Sequence, residues 1–256
     1  MRPTELAEHS SPSRFARPIA EPWIREPQLR TERAACRVLT TVALSLIAMT
    51  ASAPAQDAPF ALRGFQLGAT LEEIRRVRYP DEHKSPIELV CSGEPKAKKF
   101  GAETPIETSK IELQAGLRRC AYGWKHNVFD TYIQSRLVIG GSQGYLLLEF
   151  FRNGPNEPHR LSQIRIKIQS ASFDDLERAL TERYGTPTIS EQATLRTGIG
   201  IEFTSPLLGW VNGTSSIALQ KHAGRIDEGI LLYAHKALSL ASGDRLKANK
   251  KVDDKL

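Results

Sequence analysis

Residues 38–49 (VLTTVALSLIAM) form an apolar run, preceded by Arg30, Arg33 and Arg37 and followed by small residues ending in Ala53-Pro54-Ala55. A basic flank, a short apolar stretch and an A-x-A ending make up the pattern of a secretory signal peptide, with cleavage expected after Ala55. This feature sets which part of the chain must build a core: 201 of the 256 residues remain, enough for one domain with an interior of its own. The competing reading is a membrane anchor, but a twelve-residue run holding three Thr or Ser is well short of the ~20 residues a spanning helix needs. Cys36 precedes the run, whereas a lipoprotein cysteine would follow it directly. Residues 1–29, polar and carrying Pro3, Pro12, Pro18, Pro22 and Pro27, read as a disordered extension or as sequence upstream of a later translation start. Segment 30–55 is then the signal peptide and 56–240 the folded domain, with halves 60–169 and 170–240. Residues 241–256 (ASGDRLKANKKVDDKL) read as a charged flexible tail.

Export changes the meaning of the cysteines. Two follow the leader, Cys91 and Cys120, and an even pair in an oxidising compartment reads first as a disulfide, with two free thiols as the competitor. A metal site is not expected, because His83, His126, His159, His222 and His235 are dispersed and form no ligand spacing with each other or with the cysteines. Charge is also uninformative. The net charge is +6, of which the leader's seven Arg against five Glu account for two, leaving +4 over the domain. The clusters Lys96, Lys98, Lys99 and Lys247, Lys250, Lys251 lie beside acids and read as solvated segments, so nucleic acid is not an expected partner.

Along the domain, Thr70-Leu71-Glu72-Glu73 has the form of a capping box, with Leu71, Ile74 and Val77 on one helical face, so a short helix is expected to end by Tyr79 before Pro80. Residues 81–109 read as a long irregular loop tied down by Cys91. Strands are expected over 119–124, 131–139, 145–151 and 162–169; in the last, Ile164, Ile166 and Ile168 alternate with Arg165, Lys167 and Gln169, as in a sheet with one buried face. A second amphipathic helix opens at Ser172, buries Phe173, Leu176, Ala179 and Leu180, and stops at Gly185 and Pro187. Strands over 198–203, 207–211, 216–221 and 229–234 follow, and Asn212-Gly213 predicts a hairpin over Gly209 to Lys221. The expected class is therefore α+β: antiparallel sheet with two amphipathic helices, with a tandem helix plus β-meander as the arrangement suggested by 70–77 and 172–179, which match in cap, apolar, acid, acid, apolar and Arg76 with Arg178.

The run Leu67-Gly68-Ala69-Thr70-Leu71-Glu72-Glu73-Ile74 resembles the helix opening of small bacterial envelope proteins. These are of the SmpA/OmlA outer-membrane assembly type and share the β-lactamase-inhibitor-protein-like fold. The helix ending in Tyr184-Gly185-Thr186-Pro187 is similar to one found in many proteobacterial periplasmic proteins. The resemblance covers about 30 residues and implies an α+β fold that binds other proteins; the chain departs from the lipoproteins in lacking a lipidated cysteine.

Chemistry-bearing motifs are sparse. Gly140-Gly141-Ser142-Gln143-Gly144 matches G-x-S-x-G, which would make Ser142 a hydrolase nucleophile if a helix followed; 145–151 reads instead as a strand, which makes the segment a hairpin turn. Gly198-Ile199-Gly200 lacks the third glycine of a dinucleotide fingerprint. Asp174 and Asp175 suit a helix first turn. Trp124 and Trp210, both in expected strands, either line a binding surface or pack in the core. Together these point to an exported periplasmic or secreted protein that binds an envelope protein or a ligand, with no cofactor and no retained membrane span; a small serine hydrolase using Ser142 is the alternative.

Overall fold

A computed structural model describes residues 58–81, 83–101, 106–196 and 200–253. The leader, its cleavage site and residues 1–29 lie outside these. The described residues form a mixed α/β structure built on a large, mostly antiparallel sheet, with four helices.

A small ribbon of β1 (Ala61–Leu62) and β2 (Phe65–Gln66) leads into α1 (Leu71–Arg76). The expected capping box is present: the Thr70 hydroxyl accepts from the Glu73 amide while the Glu73 carboxylate accepts from the Thr70 amide at 2.7 Å. Residues 81–109, expected to be irregular, instead hold β3 (Ile87–Cys91), a 3₁₀ turn (Pro95–Lys99) and β4 (Phe100–Gly101). Pro, Lys and Glu in this stretch mask a strand that is pinned by its partner rather than by its own propensity. A further short helix, α2 (Lys110–Gln114), carries a second capping box at Ser109 and Glu112.

The sheet continues with β5 (Leu117–Lys125), β6 (Tyr132–Gln134), β7 (Arg136–Ile139), β8 (Ser142–Phe151) and β9 (Arg160–Gln169). Helix α3 (Phe173–Tyr184) follows, entered through a 3₁₀ turn, so the Ser172 side chain makes no capping bond. Gly185 takes φ +82° and its N–H closes the helix onto the Thr181 carbonyl. A meander of β10 (Ile189–Arg196), β11 (Glu202–Val211), β12 (Ser215–Gln220) and β13 (Glu228–His235) then leads to α4 (Lys236–Asp253). Of the strand expected over 198–203, residues 198 and 199 lie outside the described residues; from Glu202 it merges with the one expected over 207–211 into β11, which runs through Pro206, just outside the β11–β12 register and so owing no N–H to that ladder.

The order across the sheet is β10-β11-β12-β13-β9-β8-β5-β6-β4, with β3 on the other edge of β5 and β7 beside β8. β5 and β8 pair only over 117–120 and 148–151, then diverge, and the β6–β7 segment fills the wedge. Gln134 lies at the fork, where its side-chain amide donates to the Leu146 carbonyl at 3.0 Å in place of the missing ladder.

One face of the sheet carries Cys120, Tyr122, Leu146, Leu148, Ile164, Ile166, Leu231, Tyr233 and Trp210. Leu71 and Ile74 of α1, Phe173, Leu176 and Leu180 of α3, and Phe65 cover it. A smaller cluster on the opposite face gathers Val90, Ala97, Ile106, Ala121, Tyr132 and Leu147. The stretch expected to be a tail from 241 onward is helical through Asp253. Its helix docks through small polar groups: the Gln163 amide donates to the Ser239 hydroxyl at 3.5 Å, and Ser239 and Ser242 are buried. Apolar periodicity does not register a contact made by serines.

Candidate functional site

Cys91 and Cys120 face each other directly in the β3–β5 ladder and are joined by a disulfide, with Cα atoms 4.0 Å apart and both residues fully buried. A one-residue slip of β3 would turn every side chain to the wrong face, and the bond forbids it. With the register held, Ile87 stands opposite Trp124 on β5, and Trp124 in turn stands opposite Ile133 on β6. Trp124 lies two and four residues beyond Tyr122 and Cys120, so the row continues the face that elsewhere forms the core. Here the cover ends. Tyr79, packed on Tyr122 at 4.9 Å between ring centroids, is the last buried ring, and Trp124 is only half-buried.

Other aromatic rings extend this row into solvent. His83 stacks on Trp124 at 4.8 Å, Trp124 on His126 at 5.8 Å and His126 on Phe129 at 5.1 Å, each pair tilted by 31°. Phe129 is 65% exposed and its neighbour Val128 79%, the largest exposures among the apolar side chains of the described residues. Such large apolar groups at a loop tip lower no free energy in the isolated chain, since they leave apolar surface in water.

The row is held from behind and at both ends. Gly123, on the reverse face of β5, leaves room for the Phe100 ring, which a Cβ there would meet at 2.5 Å. The loop after β5 is closed by the His126 amide donating to the Thr131 carbonyl at 2.9 Å. Inside it, the His126 Nδ1 accepts from the Val128 and Phe129 amides, both at 3.2 Å. Across Trp124, the His83 Nδ1 lies 3.1 Å from the Ser85 amide and 3.2 Å from the Ser85 carbonyl, bonding one or the other according to its tautomer. Asp130 is paired by Lys99 and by Lys125 at 3.4 Å, and these two hydrogen-bonded ammonium groups hold its carboxyl below the usual range. Beneath the row, burial pushes the Tyr79 and Tyr122 phenols well up, so both stay neutral.

The other residues singled out by sequence fall elsewhere. Trp210 is 2% exposed and its indole donates to the Gly185 carbonyl at 2.7 Å, so it ties α3 to the sheet and offers no surface. Ser142 is the first residue of β8, paired with Ile139 across a tight turn in which Gly140 and Gly141 take φ +55° and +79°. A strand follows Ser142 where a nucleophile elbow requires a helix. Asn212 makes its turn by its side chain, whose Oδ1 accepts from the Ser215 amide at 2.7 Å and the Thr214 amide at 3.1 Å. Among the described residues no group of His, Cys, Asp and Glu could hold a metal ion, and no helix is long and apolar enough to cross a membrane.

Sequence reading singled out Trp124 but missed Ile87, Ile133, Val128, Phe129, His83 and His126. One signal was available: Val128-Phe129 is an apolar pair in the connection between the strands expected over 119–124 and 131–139. Compared with family models, curated proteins and solved structures, the chain matches none of them.

Proposed function

We propose that this is an exported protein of the cell envelope that acts by binding, and that it engages an envelope protein or a ligand through the Trp124 row. The observation that carries this reading is the cross-strand line Ile87, Trp124 and Ile133, extended by the exposed Phe129 and Val128, where among the described residues the row of the apolar sheet face runs from buried Tyr122 to half-buried Trp124. Large aromatic anchors over a stiff backing are the groups that contribute most when an interface closes. Export is supported by the leader pattern and by a buried disulfide, a bond that persists in oxidising compartments. The sequence match of 70–77 with 172–179 supports a tandem origin for the two halves, although the caps differ, Thr70 forming a capping box and Ser172 making no side-chain capping bond.

The test is in-cell crosslinking and pull-down of the tagged, exported protein beside a V128S/F129S variant. Both side chains are exposed, so the variant should unfold at the same denaturant concentration as wild type within about 0.5 kcal/mol while losing the captured partner. Equal capture by the two proteins would refute the assignment of the row.

A further inference from the structure

The His126 imidazole does two jobs that conflict once it gains a proton. Its Nδ1 accepts both the Val128 and the Phe129 amide, so in this state Nδ1 is unprotonated and the ring hydrogen sits on Nε2. The same ring is the link between Trp124 and Phe129 in the stack. A proton on Nδ1 turns the acceptor into a donor facing two donors, and both amides lose their partner at once.

The surroundings decide whether that proton would be compensated. The charged groups beside the loop are Asp130, Lys125 on β5 and Lys99 before β4, and Asp130 is already paired by both lysines. His83 lies across the Trp124 ring, and its Nδ1 is within reach of both the Ser85 amide at 3.1 Å and the Ser85 carbonyl at 3.2 Å, so unlike His126 it has an acceptor at hand for a proton. The Trp124 and Phe129 faces would attract an imidazolium, but that attraction does nothing for the two amides. No free carboxylate stands against His126 among these groups to reward the charge.

We propose that His126 is a pH-sensitive latch: protonation releases the 127–130 loop, withdraws Phe129 from the stack and dismantles the Trp124 row. This rests on the docking reading given above, and it makes binding through the row a property of neutral conditions that acid removes. Histidine is the side chain whose charge changes over the range an exposed envelope surface meets.

The test is an NMR titration of the protein from roughly pH 8 to pH 5, following the Val128 and Phe129 amides and the His126 ring protons. The two amide protons should move upfield together and lose exchange protection, with the midpoint of the His126 ring. His126→Asn places an oxygen that does not protonate near the Nδ1 position, so its loop should stay closed throughout. His126→Phe has no acceptor and should be open at every pH, with core amides such as that of Ile166 unmoved in both variants. Amides that hold their positions while the wild-type ring titrates, or that titrate equally in H126N, would overturn the latch. The titration needs no partner. A flat result therefore sinks the latch and leaves docking standing, whereas unchanged capture by V128S/F129S sinks docking and leaves the titration as it is.

Discussion

Trp210 and Trp124 stand on the same face of one sheet, each in the interior of a strand, and their surroundings are opposite. Around Trp210 the face is roofed by α3, whose C-terminal Gly185 carbonyl takes the indole N–H. Around Trp124 the roof stops at Tyr79, and neighbouring rings are supplied by loops, from His83 on one side and from His126 and Phe129 on the other. A tryptophan in an apolar row is therefore not by itself a core residue; what settles its role is whether a helix crosses above it. At Trp210 the side chain serves the protein's own stability, and at Trp124 apolar area is left in solvent.

The largest effect should come from breaking that contrast directly. Trp210→Ala removes a buried ring and its hydrogen bond and should cost about 3–5 kcal/mol in denaturant unfolding, whereas Trp124→Ala, half in solvent already, should cost roughly a third of that. Equal losses would mean that the Trp124 end is as much a core as the Trp210 end. Next comes the clamp. Cys91→Ser with Cys120→Ser should cost about 3–4 kcal/mol and, in the same variant, broaden the NMR signals of Ile87 and Trp124 more than those of Trp210, because only the former pair depends on the β3 register.

The smallest effect separates two histidines. Burial, reinforced by Arg152 and Arg118, lowers His159 from 6.5 to about 4. Its folded pKa lies below the unfolded one, so the unfolded chain binds the proton more readily and stability is present in full above pH 6.5 and declines as pH falls toward 4. His159→Gln should flatten that limb of a plot of thermal midpoint against pH. His126→Asn should leave the limb unchanged while abolishing the loop titration, since His126 acts on a surface loop and not on the core.

Much of the frame was legible along the chain. Capping at Thr70, the helix stop at Gly185 and the alternation of Ile164, Ile166 and Ile168 are local signals, each tied to a bond or a periodicity that the structure contains, and the Cys91–Cys120 pair was read from the count of cysteines. What went unread shares a different cause. Strand β3 is fixed in place by the ladder and disulfide that β5 offers it, α4 by the buried Ser239 and Ser242 on its docked face, and the fork at Gln134 by the divergence of two strands. The candidate site belongs to this second group, for its rings arrive from residues 83, 124, 126 and 129 and meet only in space.

By itself the sequence determined the caps, turns and alternating faces of the elements it announced, because these are set by interactions between residues a few positions apart, and it offered the Cys91–Cys120 pairing only through the number of cysteines after the leader. Only the tertiary structure decided which stretch of that apolar face is covered. Cover depends on where α1 and α3 end over the sheet, and so on the three-dimensional meeting of elements distant in the chain, which left Trp210 enclosed and Trp124 at the surface.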